Sequence, residues 1–129
     1  MQSTHKMAMA ITAAAVFGGA TVHGLRAQVK PMAYVVAEID VTNQDGYSKE
    51  YLPPSSKALL ARGAQYLARG SKTESFKGEP PNRIVLFSFE NLDQAKAAFT
   101  SPAFVEAANV GAKYANFRIY AVEASPPPQ

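Results

Sequence analysis

The distribution of apolar residues predicts four β-strands in the region that follows residue 30. Segments 33–41 and 83–89 are rich in β-branched and aromatic residues, which favour extended backbone. Segments 64–70 and 117–123 show a weaker form of the same enrichment and predict the other two strands. A proline pair at 80–81 predicts a turn between the second and third strands.

Helical signals lie between these strands. Asn43 or Asp45 is suited to cap a helix after the first strand, and the proline pair at residues 53–54 predicts an interruption of that helix. Pro54 is suited to the first turn of a second helical piece, which Gly63 is placed to end. After the third strand, the apolar spacing predicts a helix over 92–99, and Ser101 followed by Pro102 predicts a further helix. The resulting order, β-α-β-β-α-β, predicts an α+β fold, a ferredoxin-like sandwich of an antiparallel sheet with helices on one face.

The third predicted strand is apolar on both of its faces. Val85, Phe87 and Phe89 alternate with Ile84 and Leu86, and the first strand has a similar pattern. Because the helices cover only one face of such a sheet, the other face needs a cover of its own. A second copy of the chain supplies one, so the sequence predicts a homodimer whose sheets pack face to face.

The N-terminal residues have the pattern of a secretory signal peptide. Lys6 precedes an apolar run that extends to about Val22, and Ala27 is a small residue suited to the cleavage site. We therefore expect residues 1–27 to be removed, with cleavage after Gly24 as an alternative, and the protein to be periplasmic or secreted. An uncleaved membrane anchor is the rival interpretation, but the run is shorter than the roughly 20 residues that span a bilayer.

Removal of the signal peptide changes the composition of the chain. The full sequence has 129 residues, 13 basic and 10 acidic side chains, two histidines and no cysteine. Cleavage removes two basic residues and both histidines, which leaves a nearly neutral domain at 28–124 and a disordered tail at 125–129. Without imidazole or thiol groups, this remainder has no Ser-His-Asp triad, no cysteine nucleophile and no His- or Cys-bound metal. Its lysines are scattered, which argues against nucleic-acid binding, and no cofactor or metal ion is predicted.

One carboxylate is a candidate for acid–base chemistry. Glu38 lies in the middle of the first predicted strand among apolar residues, where burial would make a carboxylate a stronger base. It is therefore the candidate catalytic residue. The alternative is that Glu38 lies near the sheet edge or forms an ion pair with Arg69 or Arg118.

Arginine and tyrosine side chains are candidates for ligand binding. Arg69, at the end of the second strand, and Arg83, at the start of the third, could each bind an anionic group. The alternatives are an ion pair at the strand end for Arg69 and a solvated position for Arg83. Tyr47 and Tyr51 are one helical turn apart and could donate hydrogen bonds at the mouth of a cleft, or could simply pack within the helix.

Several segments of the chain resemble the domain-of-unknown-function family 1330. They are AYVVAEIDVTNQDGYSKEY, YLARGSKTESFKGEPPNRIVLFSF, SPAF and the closing IYAVE, so that the resemblance extends from about Ala33 to Glu123. Members of that family are similar to dimeric α+β barrel proteins, a superfamily that also includes small monooxygenases, isomerases and haem-binding proteins. The resemblance therefore implies a ferredoxin-like domain in a dimeric α+β barrel and no single reaction. Members often carry an arginine before the last strand, and this chain has none at residues 110–113.

These observations support two hypotheses on function. In the first, an exported homodimer binds a small anionic or aromatic molecule in a barrel or cleft, with Arg69, Glu38 and Tyr47 as polar contacts. By analogy of fold, its catalytic form is a cofactor-independent monooxygenase or isomerase. In the second, the protein is a non-catalytic structural or stress-response module whose second apolar face serves only dimerisation. A pocket enclosed by the dimer, with Arg69 or Glu38 pointing into it, favours the first hypothesis, and a core packed solid by Phe and Tyr side chains favours the second.

Overall fold

Four strands and three helical segments make up residues 30–126, the part of the chain that the computed structural model describes. The strands are β1 (Ala33–Val41), β2 (Gln65–Gly70), β3 (Arg83–Phe89) and β4 (Ala115–Glu123). Segment α1 follows β1 and comprises an α-helical turn at Gln44–Gly46, a π-helical turn at Tyr47–Tyr51 and an α-helix at Leu52–Leu60. Helices α2 (Leu92–Phe99) and α3 (Pro102–Gly111) lie between β3 and β4. The predicted signal peptide and residues 127–129 of the predicted tail lie outside the described residues.

The strand order is β2-β3-β1-β4, and every neighbouring pair is antiparallel. The α+β ferredoxin-like arrangement predicted from the sequence is thereby confirmed. Two predicted helix caps are also present: the Asn43 side chain accepts a hydrogen bond from Gly46 N at 3.0 Å, and Ser101 Oγ accepts one from Phe104 N at 3.3 Å. None of the helices within residues 30–126 has the length and apolar character needed to cross a membrane.

The helices pack on one face of the sheet and form the core with it. Alternate residues of β1 point towards the helices and are almost fully buried, as are the matching residues of β3. Tyr47, Phe89 and Val35 are the largest side chains with essentially no exposed surface. Burial of this apolar area provides the main stabilisation of the fold.

The opposite face of the sheet, which we call the open face, is apolar and exposed. Tyr34 and Val36 of β1 point towards it, and they pair with Val122 and Tyr120 of β4. Leu86 of β3 pairs with Val36 from the other side. Tyr34, Tyr120 and Val122 are 39%, 46% and 56% exposed, so the side chains of this face contact one another but have no covering layer within the described chain.

The proline pair does not interrupt α1, contrary to the prediction. Pro53 and Pro54 occupy the first turn of the helix Leu52–Leu60, as expected for Pro54, and a missing N–H group is tolerated there. In a regular α-helix the Pro53 ring would meet the carbonyl of Lys49, four residues earlier. The preceding turn instead widens into the π-helical turn, in which the N–H of Leu52 donates to the carbonyl oxygen of Tyr47. The helix therefore continues, and its widened turn carries two buried tyrosines, Tyr47 and Tyr51.

Candidate functional site

A cavity of about 260 Å³ lies between α1 and the helix-covered face of the sheet. This volume is slightly below the range of about 300–1,000 Å³ that is typical of sites for drug-sized ligands, so the cavity suits a small molecule. Its walls are mainly aromatic and aliphatic, and two arginines, three tyrosines and two serines supply its polar side chains. The lining residues are Ala37, Ile39, Tyr47, Tyr51, Leu52, Pro53, Ser55, Ser56, Leu59, Tyr66, Arg69, Arg83, Val85, Phe87, Phe99 and Ile119.

Two polar atoms in this cavity are buried without a hydrogen-bond partner among residues 30–126. They are the hydroxyl oxygen of Tyr47, whose side chain is fully buried, and Nε of Arg83. The guanidinium carbon of Arg83 lies 5.4 Å from the centroid of the Tyr47 ring, so the two groups are neighbours. Arg83 is thus partly buried, with its Nε atom enclosed beside an aromatic ring. Leaving buried donors unpaired costs free energy, which indicates that this part of the cavity is suited to a polar group of a ligand.

The electrostatics of the cavity favour an anion. Burial raises the pKa of Tyr47, an effect that the positive charge of Arg83 partly offsets, and burial also raises the pKa of Tyr51. Both tyrosines therefore keep their protons at neutral pH and are able to donate hydrogen bonds. No carboxylate lines the cavity within the described part of the chain, so the charges of Arg69 and Arg83 are not neutralised there.

The mouth of the cavity contains a second arginine–tyrosine pair. The exposed Arg69 places its guanidinium carbon 4.7 Å from the centroid of the Tyr66 ring. The Tyr66 hydroxyl lies 2.8 Å from Oγ of Ser56 on α1, which ties β2 to the helix. Tyr66 and Ser56 were not among the residues singled out from the sequence, because nothing in the sequence signals that Tyr66 faces α1.

A β-bulge in β2 brings Tyr66 and Arg69 to the same side of the sheet. In a regular strand, residues three apart point to opposite faces. Here Tyr66 pairs with Phe87 and Ala68 pairs with Leu86, so that Leu67 is an extra residue in the ladder. The alternation is shifted by one position, and Arg69, opposite Val85, faces the cavity.

Glu38 lies apart from the other candidate residues. It points to the open face, where its Oε2 atom is 3.8 Å from Nε of Arg118, as the alternative interpretation of an ion pair expected. The structure therefore brings together four of the five candidates, Arg69, Arg83, Tyr47 and Tyr51, around one cavity. The predicted grouping of Glu38 with Arg69 and Tyr47 is wrong, because the sheet separates its carboxylate from the cavity.

The described residues also offer no clear place for a metal ion. Within residues 30–126, no three side chains of the Asp, Glu, His or Cys type come close enough together to bind one. The polar groups of the cavity are donors and hydroxyls, which suit an organic anion better than a cation.

Comparison with solved structures identifies proteins of the same fold. RPA0582, a protein of unknown function from Rhodopseudomonas palustris, matches with a TM-score of 0.63 and 11% identity over 84% of this chain and 94% of its own. SnoaB, a cofactor-independent oxygenase from Streptomyces nogalater, matches with a TM-score of 0.53 and 13% identity over 75% of this chain and 96% of its own. An EthD-like protein from Ralstonia eutropha matches with a TM-score of 0.53 and 17% identity over 73% and 92% of the two chains.

Comparison of the sequence with protein families gives a direct assignment, whereas comparison with curated proteins finds no match. The family described as a domain of unknown function, DUF1330, matches residues 32–125, which include all four strands and all the helices. The resemblance noted in the sequence is confirmed, and the chain belongs to the DUF1330 family.

Proposed function

We propose that this protein is an exported homodimer that binds a small aromatic molecule with an anionic group in the cavity between α1 and the sheet. The observation that carries the proposal is the pair of unpartnered polar atoms, Tyr47 Oη and Arg83 Nε, in an otherwise apolar cavity. A ligand oxygen between them would satisfy both donors. A purely structural module has no use for such a cavity, since filling it with apolar side chains would be more stable.

Native mass spectrometry of protein purified from the cell envelope tests ligand binding. We expect the wild-type protein to carry a small molecule, Arg83→Met to lose it, and Arg62→Met, a change at an exposed arginine outside the cavity, to keep it. A wild-type protein that carries no small molecule, and that is also not stabilised by benzoate or 4-nitrophenol, would contradict the proposal.

The homodimer rests on the open face. Its apolar side chains form a continuous surface across β1, β3 and β4, and a second copy placed face to face would remove it from water. Sedimentation equilibrium at micromolar concentration tests this. We expect a dimer for the wild type, a monomer for Val122→Asp, and a dimer for Val105→Asp, whose side chain is similarly exposed but lies on α3. A monomeric wild type would overturn the assembly.

Export rests on the sequence pattern of residues 1–27. N-terminal sequencing of the protein recovered from the periplasm or the medium tests it, with Gln28 expected as the first residue. Recovery in the membrane fraction with an intact N-terminus would support the uncleaved anchor instead.

A catalytic form of the proposal is a cofactor-independent oxygenase. Its support is the likeness in fold to SnoaB, at 13% identity, together with a cavity that stabilises an organic anion. An isomerase is less well supported, since it needs a resident base and neither a carboxylate nor an imidazole lines the described cavity. Oxygen uptake by the wild type with the co-purified ligand, abolished in Arg83→Met, would support the oxygenase.

A further inference from the structure

We infer that the ligand of this cavity is a planar weak acid, a phenol or a conjugated enol, which the protein binds as its anion, so that the acid releases its proton to the solvent on binding. This inference rests on the proposed function and specifies its ligand class.

The donors at the inner end of the cavity favour the ionised form. Arg83 can only donate hydrogen bonds, and no carboxylate in the described cavity neutralises its charge. A neutral O–H group can donate to the Tyr47 hydroxyl and accept from Arg83 Nε, but it gains little from the positive charge of the guanidinium. An oxyanion accepts from both groups, and it also gains the attraction of the guanidinium.

The number of buried, unpartnered donors favours a single oxygen at the inner end of the cavity. Two unpartnered donors, Tyr47 Oη and Arg83 Nε, match the lone pairs of one phenolate or enolate oxygen. A carboxylate has two oxygens with about four acceptor sites. Phosphate and sulfate have still more acceptor sites, and the apolar walls would leave those sites unpaired.

The walls of the cavity favour a flat ligand. The rings of Tyr47, Tyr51, Tyr66, Phe87 and Phe99 all contribute to the lining, and two of them carry arginine side chains on their faces. Stacking on a tyrosine ring fixes the plane of a guanidinium group and leaves its N–H groups directed along that plane. A planar conjugated molecule fits between these rings with its ionised oxygen towards Arg83.

The two arginines lie close enough to act on one molecule. Arg69 is opposite Val85, and Arg83 is two residues from Val85 on the same face of β3. Diagonal neighbours of this kind are about 7–8 Å apart at their backbones, which long side chains span easily. The exposed Arg69 therefore adds positive potential at the mouth, while the partly buried Arg83 contacts the anion.

The test uses 4-nitrophenol, whose anion absorbs visible light and whose neutral form does not. The protein produced from the full-length chain is titrated with this probe over a series of pH values, and the anion band of the bound probe is measured. We expect bound 4-nitrophenol to ionise at least one pH unit below the free probe, which corresponds to an at least tenfold preference for the anion. The ether 4-nitroanisole, which cannot ionise, and 4-nitrobenzoate, a carboxylate, are both expected to bind at least tenfold more weakly.

Three variants locate the effect. Arg83→Met is expected to abolish the shift in ionisation, and Tyr47→Phe, which keeps the ring and leaves the packing intact, to reduce it. Arg62→Met, outside the cavity, is expected to retain it in full. Retention of the full shift in both Arg83→Met and Tyr47→Phe would overturn the inference.

The outcomes separate this inference from the proposed function. If 4-nitroanisole or 4-nitrobenzoate binds as tightly as 4-nitrophenol, or if the bound phenol ionises at an unchanged or higher pH, the protein binds small molecules but the weak-acid inference is wrong. If none of the three probes binds to the wild type and the purified protein carries no small molecule, both fail.

Discussion

Replacing Tyr47 with Phe removes a hydroxyl group that the fold buries without a hydrogen-bond partner among the described residues. The ring packs against Tyr51 at 5.3 Å and Phe117 at 6.5 Å between centroids, with Arg83 at 5.4 Å, and a Phe ring retains all three contacts. An unpaired buried polar group costs about 1–3 kcal/mol. A cavity of this size also admits water, which offsets part of that cost. We therefore expect Tyr47→Phe to increase the free energy of unfolding of the ligand-free protein by about 1 kcal/mol, near the lower end of that range.

Tyr66→Phe is the matched control, since it removes the same atom from the same cavity. The Tyr66 hydroxyl has a partner, Ser56 Oγ at 2.8 Å, so its removal is expected to decrease the free energy of unfolding by about 1 kcal/mol. Urea denaturation measures both changes, and the dependence on urea concentration is expected to stay the same. At the same time Tyr47→Phe is expected to weaken 4-nitrophenol binding, so that stability and binding change in opposite directions. If Tyr47→Phe destabilises the protein as much as Tyr66→Phe does, the Tyr47 hydroxyl has a partner and the reasoning is refuted.

Three further predictions concern the same cavity. In Gly111→Ala the new Cβ would lie 2.5 Å from Cδ2 of Tyr51, so urea denaturation is expected to show a loss of about 1–3 kcal/mol. In a protein that also carries Tyr51→Leu, Gly111→Ala is expected to leave the free energy of unfolding unchanged or to raise it, because alanine favours a helix over glycine. A loss of stability that persists there would show that contact with Tyr51 is not its cause. The free energy of unfolding is expected to fall as the pH rises above 10.0, the ordinary value for tyrosine, because burial raises the pKa of Tyr47 and Tyr51 and the folded state holds their protons more tightly. In the variant with Phe at both positions, the free energy of unfolding is expected to depend less on pH in this range. An unchanged pH dependence would show that other groups cause the effect. Stopped-flow measurements of 4-nitrophenol binding are expected to show slower and less salt-dependent association in Arg69→Met, because Arg69 is exposed. In Arg83→Met they are expected to show faster dissociation, because Arg83 is partly buried. Identical effects in the two variants would contradict these different positions in the cavity.

Most of the element boundaries are encoded locally and are therefore predictable from the sequence. β3 and α2 have the predicted bounds because side-chain composition and apolar spacing determine them. The caps at Asn43 and Ser101 depend on a residue and its neighbours within one turn, and both form as expected. The widening of α1 was not predicted, since the proline pair is compatible with either a break or a π-helical turn and the packing of Tyr47 and Tyr51 decides between them.

The candidate site was only partly predictable, because its composition depends on the pairing of strands. Alternation places Arg83 on the same face as Val85, and it places Glu38 on the face of Tyr34. The sequence does not show which of these faces the helices cover, and this decides that Arg83 lies in the cavity and Glu38 outside it. The position of Arg69 depends on the bulge, and a bulge arises from the match between two strands that are distant in the sequence.

The π-helical turn also has a consequence for motion. The carbonyl of Lys49 lies four residues before Pro53 and five before Pro54, so neither an α-type nor a π-type helical hydrogen bond to it can form. Lys49 lies in the turn that carries Tyr47 and Tyr51 and lines the cavity, so this turn lacks one helical hydrogen bond. Local opening of a helix is easiest where such bonds are missing, and amide hydrogen exchange is fastest there. This turn is therefore expected to open on the order of microseconds to milliseconds while the sheet stays closed.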